Sequence, residues 1–210
     1  MKKIIHSLTE ILVKEKNKLR FIVIIFLIGV IFGSLFINFI NANDRLVLVE
    51  QVEEYFLNIK NLSKEVFGIN CFFSNLFNNE LILFIIFILG ISIVGGLVVV
   101  FILFFKGFML GATLSTIILK YKIKGILGCL LYIFPVGIIN IFIYFYLSLY
   151  AVHISSLFLK ALINKNKLNF RLFFTKYLIT FIVCFILMII ACLLDSYLTP
   201  IITKLFTLII

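Results

Sequence analysis

Few side chains in this sequence are of a type that performs chemistry, and those few are scattered. Ser92 follows Gly90-Ile91 and His153 is one of two histidines, so a serine–histidine pair can be drawn. A serine nucleophile needs an oriented base and oxyanion donors, and no second motif supplies them. Serine in an apolar run more often bonds its own backbone, and a lone histidine is more often structural. The four cysteines (Cys71, Cys129, Cys184 and Cys192) form no CxxC and no Cys/His ligand spacing, so neither a zinc site nor a disulfide framework is readable. No glycine-rich loop precedes a phosphate-binding lysine. The sequence therefore offers no catalytic, cofactor-binding or metal-ligating set, and the expectation is a protein that is not an enzyme.

Two other features stand out because of where they fall. Between Leu81 and Leu159 the only cations besides His153 are Lys106, Lys120, Lys122 and Lys124. A lysine at the centre of a bilayer costs about 2.5–3.5 kcal/mol on insertion scales. Lys106 is therefore expected at an interface or beside a water-filled pocket, with Lys106-Gly107 where one helix ends and the next begins. Pro135, Gly137 and Asn140 cluster within a 35-residue run without Asp, Glu, Lys or Arg (Gly125–Leu159). Proline removes a backbone donor and blocks the preceding turn, so a break is expected there, serving as a packing junction or as a pocket for lipid or a partner.

The elements that must position these residues are set by hydropathy. The chain has 210 residues, 64% of them hydrophobic, and a mean hydropathy of +1.27. Uncharged runs of 25 residues (Leu81–Phe105), 13 residues (Gly107–Leu119) and 35 residues exceed what a soluble core uses, whereas about 20 apolar residues are what a bilayer crossing needs. The net charge of +10 sits at the ends of these runs, as expected for headgroup and orientation anchors rather than nucleic-acid contacts. The reading is an all-α integral membrane protein with five transmembrane helices, one of them broken or re-entrant, plus an amphipathic N-terminal helix and a helix in an external loop.

In chain order, residues 1–20 form a basic amphipathic arm on the cytoplasmic membrane surface. Residues 21–40 form transmembrane helix 1. A cleaved leader would have a shorter core and a small-residue cleavage site, so this segment is expected to be retained. Gly29 and Gly33, four apart, offer a close-approach face for another helix. Residues 41–80 are an external loop with six acids and three bases, and apolar spacing marks an amphipathic helix from about Asp44 to Lys60. Residues 81–194 are the polytopic core and 195–210 an external tail. The arm carries six bases and two acids, and Lys160–Lys176 carries five bases and no acid, which places both in the cytoplasm with the N-terminus inside and the C-terminus outside. Two paths remain for the middle. In one, Gly107–Leu119 is a short third crossing and Gly125–Leu159 a long fourth helix broken near Pro135. In the other, Gly107–Leu119 is re-entrant and Gly125–Leu159 a tight hairpin, which keeps Lys120, Lys122 and Lys124 inside.

Four strings stand in a recognisable order: Leu89-Gly90-Ile91-Ser92, Phe105-Lys106-Gly107, Pro135-Val136-Gly137 and Asp195-Ser196-Tyr197-Leu198-Thr199-Pro200. Together with length, acidic loop and basic arm, they make the chain resemble the stage II sporulation protein M family over nearly its whole length. Where that family often carries Pro-His-Gly with a Glu three residues past the glycine, this chain has Pro135-Val136-Gly137 and Asn140. The resemblance implies a five-span protein of the septal and engulfing cell membrane that anchors a wall-degrading complex. It implies no cofactor, and as partners the peptidoglycan hydrolases called stage II sporulation proteins D and P, besides membrane lipids. Contacts expected on the wall side are Glu50, Glu53, Glu54 and Phe56 of the loop helix, with Asp195 and Tyr197. Lys106, Gly107, Pro135, Gly137, Asn140 and Pro200 are expected as structural junctions. A homo-oligomer stays open, and the alternative reading is a small membrane transport or channel subunit.

Overall fold

Inside hydrocarbon a peptide group finds no water, so long apolar segments take the one local form that satisfies every backbone donor within the segment. The protein, seen here as a computed structural model, is described over residues 15–61, 66–133, 136–164 and 170–207. Six helices are described, with no strand among them: α1 Lys16–Phe39, α2 Ala42–Lys60, α3 Ile69–Ile91, α4 Gly95–Ile133, α5 Val136–Asn164 and α6 Phe170–Thr207. All but α2 are long and apolar enough to cross a membrane. The 24 residues of α1 rise about 36 Å at 1.5 Å each. This is the five-span, all-α membrane class read from the sequence.

The path follows from paired contacts. Gly107 meets Phe26 and Gly111 meets Val30, so α1 and the first part of α4 run in the same direction. The turn Ser92–Val94, which joins α3 to α4, therefore lies at the Lys16 end of α1. Ser155 of α5 fastens that turn: its hydroxyl donates to the Ile93 carbonyl at 2.7 Å and accepts from the Gly96 N–H at 3.0 Å. A Cβ on Gly95 would stand 1.6 Å from the Leu89 carbonyl oxygen, so the chain turns this tightly only with glycine there.

At Lys122 (φ 52°, ψ −127°) α4 leaves helical geometry and folds back. The Cys129 thiol then donates to the Leu114 carbonyl at 3.4 Å. α5 continues the return toward the Lys16 end, and α6 crosses again to pack Phe206 on Phe56 of α2 with ring centroids 5.0 Å apart. Five crossings result, and Gly125–Leu159 makes one of them, as in the first of the two sequence paths; residues 134–135, where the break was expected, lie outside the described residues. α5 is the most enclosed helix, and its Leu147, Leu149, Ala151 and Tyr150 form a core with Leu83, Ile86, Leu103, Tyr177 and Met188.

Several expected boundaries are corrected. The second crossing begins at Ile69, not Leu81, because Asn75 and Asn79 turn inward while Phe73 and Phe77 face the lipid, 59% and 69% exposed. The third begins at Gly95, so Lys106 and Gly107 lie inside α4 and form no junction between helices. α6 runs on to Thr207, so 195–207 is helix rather than tail. Lys16–Arg20 belong to α1. Residues 1–14 of the basic arm, residues 62–65 of the loop, Pro135 and residues 165–169 lie outside the described residues.

The Gly29/Gly33 face is occupied within the chain. A Cβ at Gly33 would lie 2.0 Å from the Phe108 carbonyl oxygen, and one at Gly111 2.0 Å from that of Val30. Small residues on both helices let the two backbones touch, leaving Ile24, Leu27, Ile31 and Phe32 of α1 exposed on the outer side.

Candidate functional site

A cavity of about 580 Å³ opens among the membrane helices, within the roughly 300–1,000 Å³ typical of ligand pockets. Every helix contributes to its wall. Lys106, Met109 and Thr113 come from α4, Asn140 and Tyr144 from α5, Asn75 and Asn79 from α3, and Asp195, Thr199 and Pro200 from α6. Phe26 and Tyr55 close it from α1 and α2.

The polar residues form a ladder. Tyr144 donates its hydroxyl proton to Asn79 Oδ1 at 2.7 Å. One turn away on α3, Asn75 Nδ2 donates to Asp195 Oδ2 at 3.3 Å, and Thr199 donates to Asp195 Oδ1 at 2.9 Å. Lys106 Nζ stands 5.0 Å over the Tyr144 ring. Among the described residues no carboxylate lies within ion-pair distance of it. Asn140 Oδ1 is buried and without a partner. Sequence reading singled out Lys106, Gly137, Asn140, Asp195 and Pro200, and the structure brings all five to this cavity. It missed Asn75, Asn79 and Tyr144; the four-residue spacing of the asparagines, which puts both on one helix face, was the available signal.

Pro200 sits inside α6 without ending it. It has no N–H, so the Ser196 carbonyl is left without its usual donor one turn on. That carbonyl accepts from the Gly68 N–H at 3.3 Å instead, which ties the segment before α3 to α6.

The second surface is the loop helix α2. Its inner face is fixed: Phe56 is 3% exposed and packs edge-on to Tyr121 at 5.5 Å, and Glu53 pairs with Lys120 at 2.5 Å. Phe56 therefore serves internal docking, contrary to its expected place on a partner surface, whereas the Glu53 side chain pairs with Lys120 and is still 47% exposed. Burial pushes the Tyr55 phenol well above its ordinary range, with Tyr132 and Asp195 adding to the effect. Its outer face remains open, with Glu50, Glu54, Leu46, Val47 and Leu57 exposed. Tyr197 is 43% exposed and rests edge-on against Phe67 at 5.6 Å.

At the opposite end His153 Nδ1 meets Glu15 at 2.9 Å, and Lys18 bonds Glu15 at 3.1 Å and Ser156 at 2.8 Å. Burial raises the Glu15 carboxyl, but Lys18 and His153 together hold it below its ordinary value. No hydrogen bond described joins His153 to Ser92, so the drawn pair is not assembled.

Residues 22–200 match the family model described as stage II sporulation protein M. No curated protein and no solved structure matches the chain.

Proposed function

Because the chain belongs to the stage II sporulation protein M family, a family of sporulation-related membrane proteins, we propose that it is a non-enzymatic membrane scaffold that anchors and localises peptidoglycan-degrading enzymes during engulfment. Its partners in this reading are stage II sporulation proteins D and P. The N-terminus is cytoplasmic, α2 lies on the wall side, and the chain resides in the septal and engulfing membrane.

The observation that carries the proposal is the docking of α2. A helix with a nearly balanced face of its own would not hold its place in water. Here Phe56, Ile59 and the Glu53–Lys120 pair fix it across the ends of α4 and α6, so its outer acids and apolar residues are presented on a rigid platform. A pre-organised surface binds without the entropy cost of ordering. Replacing Glu50 and Glu54 together by lysine should leave insertion intact and reduce recovery of the two hydrolases with the chain at least about tenfold, a difference of ~1.4 kcal/mol. Unchanged recovery would contradict the reading.

One observation favours the transport alternative: Lys106, Asp195 and three asparagines line a cavity among the spanning helices, and transporters place their binding sites between helices near the midplane. That reading requires solute flux in proteoliposomes holding the chain alone.

A further inference from the structure

Lys106 and Asp195 line the same cavity, yet among the described residues no ion pair joins them. Depth decides what kind of molecule meets them. Gly107 touches Phe26, near the middle of the 24 residues of α1, so the Lys106 backbone lies about 15 Å or more from either end of that span. A phospholipid headgroup stays outside the hydrocarbon, so an occupant that reaches Lys106 is a solute arriving from water. A second cavity, of about 260 Å³, lies between α2 and α4 and shares Tyr55, Thr113 and Tyr132 with the first. Gln51, on its wall, is exposed on α2. The two cavities adjoin across the shared residues, which marks a route inward from the α2 end.

Along that route the polar groups change in kind. Near the α2 end Asp195 shares its wall with Tyr55 and Tyr132, whose rings meet edge-to-face at 5.9 Å. A carboxylate beside aromatic rings is a setting for an ammonium. Asn140 stands one turn before Tyr144 on the same face of α5, and its Oδ1 is buried without a donor. An unpaired interior acceptor calls for an N–H, which an ammonium carries. Deeper in, Lys106 Nζ stands 5.0 Å over the Tyr144 ring with no carboxylate of the described residues at ion-pair distance. That is a setting for an anion. A ligand with a single charge leaves the other wall charge desolvated and unmatched, whereas a ligand carrying both satisfies the cavity.

We propose that this cavity binds a small zwitterion with an ammonium at one end and a carboxylate at the other. The ammonium sits on Asp195 and Asn140 Oδ1 beside Tyr55, and the carboxylate on Lys106. A free amino acid and a short peptide both present this chemistry, and they differ in length. Phe26, Leu103 and Phe145 supply an apolar wall for a side chain. Binding requires neither flux nor hydrolase recruitment, so the site rests on neither reading of the function and stands or falls apart from both.

Equilibrium dialysis of the full chain in neutral detergent tests this, first against a mixture of the common amino acids and then against a mixture of dipeptides, with the retained species identified by mass spectrometry. The expected result is retention of at least one zwitterion at concentrations up to about 1 mM. Retention from the first mixture alone marks an amino acid, and from the second alone a peptide. Acetylating the amine or amidating the carboxylate of the retained species should each weaken binding at least about tenfold, the effect of one lost charge-assisted bond. Lys106→Gln should remove the penalty for amidation, and Asp195→Asn the penalty for acetylation. Lys160→Gln, an equal charge change at the far end of α5, should leave both penalties in place. Retention from neither mixture by the unaltered chain would overturn the proposal, whether or not the variants fold. So would retention indifferent to both caps.

Discussion

Tyr144 shows how much depends on single polar groups in this molecule. Its hydroxyl is the donor to Asn79 Oδ1, and Tyr144→Phe leaves that amide oxygen without its donor in the cavity wall. An orphaned interior acceptor costs about 1–3 kcal/mol, so thermal melting in detergent should fall accordingly, while Tyr197→Phe at an exposed ring should change little. Glu15 supplies a pH test. Its carboxyl lies below the ordinary value of 4.5 in the folded chain, so its ionised form is favoured by folding. The stabilisation is therefore present above that value and is lost as pH falls through the lower folded one. The group is partly exposed, so the effect should stay under about 1 kcal/mol. Melting midpoints from pH 7 to pH 3 should drop less for Glu15→Gln than for the native chain. At this scale the sequence showed the charges but not their partners: Lys106 and Asp195 were visible as ions, whereas Asn75 and Asn79 read as loop residues because they fall in a polar stretch. Their inward direction is decided by α6 and α5, which lie more than 60 positions away.

Among the elements, the contact between α1 and α4 has the least slack. Gly33→Ala puts a methyl 2.0 Å from the Phe108 carbonyl, and overpacking of this kind costs about 1–3 kcal/mol. Gly137→Ala, whose nearest neighbour is 3.7 Å away, should stay within about 0.5 kcal/mol. The melting temperatures of the two variants check the difference. Lys122 holds a positive φ that a side chain resists, so Lys122→Gly should stabilise the hairpin by about 1 kcal/mol. The number and type of the spans were legible because hydrocarbon demands long apolar helices. Their limits were not. Leu81–Phe105 read as one span because it carries no charge, yet the Gly95-Gly96 pair and Ser92 turn the chain within it. Insertion cost put Lys106 at an interface or beside a water-filled pocket, and it lines a polar cavity that supplies what the hydrocarbon lacks.

For the whole molecule, the crossing order sets which residues share a side. Glu54 and Lys124 lie at one end of the bundle, held there by the Glu53–Lys120 pair, while Arg20 and Lys160 lie at the other. Counting cations alone puts Lys124 with Lys160, because it ignores that an acidic helix neutralises the lysines near the α4 bend. The described cysteines are all buried, so single cysteines introduced at these four positions should report cleanly. An impermeant thiol reagent should label Glu54→Cys and Lys124→Cys from one face and Arg20→Cys and Lys160→Cys from the other. The scaffold reading itself is tested most directly by peptidoglycan digestion. Material captured on the intact chain from sporulating cells should degrade purified peptidoglycan and contain both hydrolases, and the chain purified alone should not degrade it. Digestion by the chain alone, or captured material without hydrolase activity, would contradict the account.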